Sequence, residues 1–146
     1  MALIPEQFNL QGRNRSVKEY LTSGPDFDFP KFSKIPQKDR PLLDVLYLLA
    51  DYYFKNNEFT TALEYYRYDL CFNQDRVDSW FPLALSLVNV LEQKLNETNK
   101  DPATIPGIDK GSITLKKVLK RFSPKSFDAS INSSIVLFSK ILKVKG

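Results

Sequence analysis

Histidine is missing from all 146 positions of this chain. Its absence removes the usual neutral-pH proton shuttle and the commonest metal ligand. One cysteine, Cys71, leaves nothing for an intrachain disulfide and fits a reducing compartment. With no histidine to activate it, Cys71 reads as a small apolar residue of a helix rather than a nucleophile. A phosphate loop is absent too, because Gly107-Ile-Asp-Lys-Gly-Ser112 fails the required glycine-to-lysine spacing. The acidic pair Asp26 and Asp28 stands among glycine and prolines, without the setting that would separate two carboxyl pKa values. Long apolar runs are also lacking. The longest, Leu42 to Ala50 and Ile135 to Leu142, are broken by Asp44 and by Ser139 and Lys140, and fall short of the roughly 20 residues of a membrane span. Residues 1–10 have neither the basic start nor the apolar centre of an export signal. The sequons at Asn14, Asn96 and Asn132 are therefore expected to stay bare. The expectation is a chain that is no enzyme, with no cofactor, no metal and no membrane partner.

What is present is an ordinary globular composition, 42% hydrophobic and 26% charged. A chain of about 150 residues can bury one core. The net charge of +4 hides an imbalance: residues 1–99 carry 11 basic and 14 acidic side chains, residues 100–146 carry 10 and 3. The plainer reading of the basic third is lysines on the solvated faces of amphipathic helices. The alternative is a contact between residues 110–146 and an acidic ligand or nucleic acid. No stacking platform accompanies the lysines, since Phe122, Phe127 and Phe138 read as packing residues.

The middle of the chain repeats itself at an interval of 34 residues. Leu46 recurs as Trp80, Leu49 as Leu83, Ala50 as Ala84 and Tyr53 as Leu87. Between them Phe59, Ala62 and Tyr66 stand where a second helix would press on the first, with Ala62 small enough to let the two approach. That period, with large, large, small and aromatic residues at these places, resembles a tetratricopeptide repeat. The expected fold is all-α: antiparallel helix pairs of tetratricopeptide type, a fragment of an α-solenoid, with an extended N-terminal arm. Residues 1–38 form the arm, with a single turn of helix around Ser16 to Leu21, because glycine and prolines from Gly24 to Pro36 deny a regular helix. Phe27, Phe29 and Phe32 either pin it to the helices or wait, disordered, for a partner. Residues 39–98 hold the repeat helices: one capped by Asp39 with Pro41 in its first turn, one from Glu58 or Thr60 to about Phe72, and one from about Ser79 to Glu97, capped by Asp78 or Ser79 with Pro82 in its first turn. Asn56-Asn57 makes the first turn. Residues 99–111 read as a loop and residues 112–146 as basic helices, one over Ser112 to Phe122 with Leu115, Val118, Leu119 and Phe122 on one face, another over about Asp128 to Val144.

Within residues 46–96 the likeness is closer. Leu49 to Asn56 (Leu-Ala-Asp-Tyr-Tyr-Phe-Lys-Asn), Tyr66-x-x-Asp69-Leu-Cys71, Arg76-x-Asp78-Ser-Trp80 and Glu92-x-Lys94-Leu-Asn96 resemble the tetratricopeptide segment of the calcineurin-binding protein cabin family. The likeness covers about a third of the chain. Asp69 and Gln74 depart from the general repeat consensus, and Asp69 fits the cabin-like Asp-Leu-Cys pattern. The resemblance implies a nuclear scaffold, a subunit or fragment of a HIRA-type histone chaperone complex, with the other subunits as partners and histone H3.3–H4 as an indirect one. The alternative is a stand-alone adaptor for another peptide, in the cytoplasm.

In peptide-binding repeats of this type the first helix of each pair lines the groove, which here assigns Asp44, Tyr47, Asp51, Phe54, Lys55, Asp78, Phe81, Leu85 and Asn89 to partner binding. Tyr47 and Asp51 stand where binders of acidic C-terminal tails carry lysine and asparagine. The aspartates and aromatics suit a basic segment instead. The rival reading packs the same surface on neighbouring repeats of a longer solenoid.

Overall fold

The computed structural model describes residues 4–23, 27–98 and 108–121. Their regular secondary structure is helical, with no strand among the described residues. The central pair is α2 (Arg40–Lys55) and α3 (Phe59–Leu70), and the turn between them follows from asparagine chemistry. Asn57 takes a left-handed φ of 61°, a conformation its short polar side chain tolerates. Its N–H donates to the Phe54 carbonyl (3.0 Å), and the Glu58 N–H reaches back to Tyr53 (2.9 Å). These two bonds satisfy carbonyls that the end of α2 would otherwise leave open. The chain reverses, and α3 packs along α2. Leu43, Leu46 and Ala50 from α2 and Ala62, Tyr66 and Leu70 from α3 are fully buried between them and their neighbours.

Helix α4 (Val77–Thr98) returns along α3 with Trp80, Leu83 and Ala84 inside. It begins two residues before the expected start, so Pro82 stands in its second turn and not its first. Proline there withholds one hydrogen bond, the one an N–H at 82 would give to the carbonyl of Asp78. Ser79 is not a cap: it lies inside the helix and is buried. Nor does Asp39 cap α2 through its side chain, because it closes a short 3-10 turn, Gln37–Asp39.

Two further sequence expectations need correction. The first concerns the arm. An extended arm is expected over residues 1–38; residues 27–36 have no regular secondary structure, and Leu10–Thr22 is a regular helix, α1, that packs on α3 and α5. Asn9 caps it, accepting the Gly12 N–H at 3.3 Å, and Val17 and Leu21 are buried. Residues 27–36 are pinned by Phe29, whose ring meets Tyr20, Phe32 and Trp80 edge-on at 5.2, 6.4 and 6.1 Å between centroids. Phe27 takes no such part and is 61% exposed.

The second correction concerns the stretch read as a loop over residues 99–111, whose end belongs to a helix, α5 (Ile108–Arg121). Gly111 lies within that helix where it passes close to α4: a methyl group there would stand 2.6 Å from Cδ1 of Leu91, and the leucine side chain would have to shift. Glycine at this point is a packing device and not a breaker. Leu115 and Val118 are buried, as their spacing predicts. Lys117, expected on a solvated face, is buried too, its ammonium 3.4 Å from the Phe27 carbonyl and 4.0 Å from the centre of the Tyr20 ring. Thr114 donates to the carbonyls of Leu21 and Lys110 at 3.0 Å each. The helix expected over 128–144 and residues 99–107 of the expected loop lie outside the described residues.

If α1 is part of the core, Val17→Ala should lower the unfolding free energy by about 1–3 kcal/mol, the cost of two buried methyl groups and the gap they leave. Urea unfolding followed by circular dichroism should show one shifted transition. An unchanged midpoint would reduce α1 to a loosely attached leader.

Candidate interaction face

The surface built by α2 and α4 depends on a polar knot beneath it. Asp69, fully buried at the end of α3, accepts the Ser79 hydroxyl at 2.6 Å and the Asn73 side-chain amide at 3.0 Å. Arg76 places Nε 3.4 Å from the same carboxylate, Nη2 2.5 Å from Asp44 on α2, and its guanidinium 4.9 Å from the centre of the Tyr47 ring. Trp80 donates its indole N–H to the Gln74 carbonyl at 2.6 Å, closing the turn. One carboxylate thus fastens α3, the α3–α4 turn and the start of α4, while Arg76 carries the connection across to α2. The departure of Asp69 from the general repeat pattern has a structural reason in this knot. Burial pushes its carboxyl pKa up, while Ser79, Arg76 and Asn73 pull it down.

On this base the structure sets Tyr47 and Asp51 from α2 and Asp78 from α4 near the phenol of Tyr66. Tyr66 lies on α3, its ring 6.4 Å from that of Tyr47. Its hydroxyl is buried and has no hydrogen-bond partner among the described residues. Burial raises the Tyr66 pKa, and Asp51, Tyr47, Asp69 and Asp78 raise it further. The Tyr47 pKa is raised by burial first, then by Asp78 and Asp51. Both phenols therefore sit in the negative potential of the same aspartates. Asp78 is exposed, and among the described residues Asp51 is engaged by Lys55, 2.8 Å away on the same helix. An exposed pair of that kind is weak and exchangeable. Phe81 and Leu85 continue the face along α4, each half-buried against the core.

Not every assigned residue belongs here. Phe54 is turned to packing, its ring 5.6 Å from Phe59 and 6.3 Å from Tyr66. Asn89 donates its amide to the Leu85 carbonyl at 2.9 Å and lines a recess with Asn57 and Phe59, farther down α4 than Asp78. Lys55 is exposed and serves Asp51. Sequence reasoning placed Tyr66 only in the repeat core and overlooked its hydroxyl. Arg76 it knew only as part of a motif. The available signal was the opposite charges of Asp44 near the start of α2, Asp69 at the end of α3 and Arg76 just before α4, ends that antiparallel packing of the three helices brings together. Of the residues assigned to the repeat core, Leu46, Ala50, Ala62, Tyr66, Trp80, Leu83 and Ala84 are fully buried. Leu49, Tyr53, Phe59 and Leu87 are half-buried.

The thiol of Cys71 is buried, donates to the Arg67 carbonyl at 3.3 Å, and has its pKa pushed up to about 12 by burial. It holds its proton at neutral pH. Among the described residues no three histidine, cysteine or acidic side chains gather to hold a metal, and no helix is long and apolar enough to cross a membrane. No protein-family model matches the chain, and no solved structure matches it.

Asp69 sets a pH dependence whose sign is fixed by its raised pKa. The folded state keeps the proton longer than the unfolded chain, where aspartate titrates at about 3.9. Its contribution to stability is therefore fully present below that value and is lost as pH rises through the folded pKa. Measured by urea unfolding at stepped pH, Asp69→Asn should flatten the profile above about pH 4 relative to the native chain. Parallel profiles would remove the Asp69 charge from the stability balance.

Proposed function

We propose that the chain is a non-catalytic interaction scaffold of tetratricopeptide type whose α2–α4 face takes a basic segment of a partner protein. The observation that carries this reading is the buried, unpartnered Tyr66 hydroxyl beneath Asp51 and Asp78. A lysine or arginine side chain reaching between the two helices supplies the positive charge that the aspartates favour and a donor for the phenol oxygen. Tyr47 and Phe81 flank its alkyl stem. The 34-residue repeat, the packed helix pairs and the small residues Ala50, Ala62 and Ala84 at their buried contacts support the repeat assignment.

The resemblance to the cabin family supports a place in a nuclear HIRA-type histone chaperone complex that deposits H3.3 with H4. The residues carrying that resemblance coincide with the polar knot, since Asp69, Arg76, Ser79 and Trp80 are the groups that fix the α3–α4 turn. Histones and their binding partners present lysine- and arginine-rich segments, the chemistry this face selects. A scaffold role also agrees with a protonated, buried Cys71 and a chain without histidine.

Affinity purification of the full chain from nuclei, followed by mass spectrometry, should recover the chaperone subunits. Their consistent absence removes the chaperone assignment. Charge reversal by Asp51→Lys with Asp78→Lys should weaken capture of those subunits by about tenfold or more while leaving the melting temperature within a few degrees. Undiminished capture removes this face from the interaction.

A further inference from the structure

A second charged feature lies on the far side of Arg76, and its sign is opposite. Between the segment 30–37 and the α3–α4 turn is a cleft of about 720 Å³. Phe32 and Ile35 of the arm form one apolar side and Leu70 and Phe72 the other. Its charged lining is Arg13, Lys34, Arg40 and Arg76 against a single carboxylate, Asp75.

Arg76 is already engaged by Asp44 and Asp69. Among the described residues, Arg13, Lys34 and Arg40 form no ion pair. Arg13 is 9% exposed, and its partners are the carbonyls of Cys71 (3.2 Å) and Ser33 (3.1 Å) and the rings of Phe32 and Phe72, 4.9 and 5.0 Å from the guanidinium carbon. A nearly buried cation is thus held by dipoles and π faces alone, without a counter-anion, and burial lowers its pKa. Arg40 uses Nη1 for both of its bonds, to the Phe72 carbonyl (3.3 Å) and the Asn73 side-chain oxygen (2.7 Å). Its Nε and Nη2 remain as donors, and a guanidinium edge is shaped for a two-oxygen anion. Lys34 is exposed at the rim.

We propose that this cleft binds a short acidic peptide segment, with a carboxylate or phosphate oxyanion held by Arg40 and Lys34 over the buried guanidinium of Arg13 and an apolar side chain against Ile35 and Phe72. Three cations without an anionic partner among the described residues, in one cleft, match one or two negative groups. A nucleic acid strand, with charge at every step, would meet the Asp75 carboxylate and rings already covered by Arg13. The inference does not rest on the α2–α4 face, whose ligand carries the opposite charge.

Fluorescence anisotropy on the full chain tests it, with three labelled probes: a glutamate–leucine peptide, its phosphoserine counterpart and a lysine–leucine peptide. The chain should bind at least one of the two acidic probes, and which one identifies the oxyanion. Lys34→Gln with Arg40→Gln should weaken that binding by about tenfold or more and leave the lysine probe unaffected. Asp51→Lys with Asp78→Lys should do the reverse, so the two sites fail separately. Lys34→Gln alone, at an exposed side chain, should weaken acidic binding in the same direction and keeps the test valid should the double variant unfold. Failure of both acidic probes to bind, undiminished binding by the folded variants, or an oligonucleotide that displaces both acidic probes would overturn the proposal.

Discussion

A carboxylate taken completely out of water has to be answered by donors from several directions, and Asp69 is answered by three. Ser79 comes from α4, Asn73 from the turn, and Arg76 arrives already bound to α2 through Asp44. Removing such a group from solvent is costly unless its partners are well placed. The geometry of its neighbours is consequently restricted in a way apolar packing alone would not impose. The spacing of α2 and α4, and with it the separation of Asp51 from Asp78, follows from that restriction.

The same arginine separates two surfaces of opposite sign. On one side aspartates surround the phenols of Tyr47 and Tyr66; on the other, Arg13 and Arg40 face the arm. Net charge gives no hint of this arrangement, because the acidic majority of residues 1–99 includes the arginines that build the basic cleft. Charge counted along the chain pointed to residues 100–146 as the basic region, and there Lys117 proves to be buried as a structural donor. Position in the fold, and not density in the sequence, decides which cations are available.

Helices α2 to α4 were legible because the 34-residue period and the asparagine turn each have a direct mechanism, and Asn57 adopts the left-handed backbone that the turn demands. Helix α1 was hidden by one residue. Leu10, Arg13, Val17 and Leu21 follow helical spacing and all four are buried, but the arginine interrupts the apolar pattern. Only the structure reveals that two carbonyls and two aromatic rings make an interior position acceptable for it. Gly111 misled for the complementary reason: a glycine that ends a helix and one that lets two helices touch look alike in a sequence. In the face itself, Asp44, Tyr47, Asp51 and Asp78 were accessible from periodicity. The inward turn of Phe54 and the bare Tyr66 hydroxyl depend on ring packing that spacing does not encode.

The bonds joining α1 to α5 have a bearing on how the molecule assembles. Thr114 reaches Leu21 across 93 positions and Lys117 reaches Phe27 across 90, whereas α2, α3 and α4 meet through short connections. Closing so long a segment is entropically unfavourable until something already ordered holds its ends near each other. The three central helices can supply that template from local contacts. Sequence separation alone thus favours the α2–α4 contacts over the α1–α5 clasp as the earlier to form, which ties the basic cleft beside α1 to the more distant contacts of the chain.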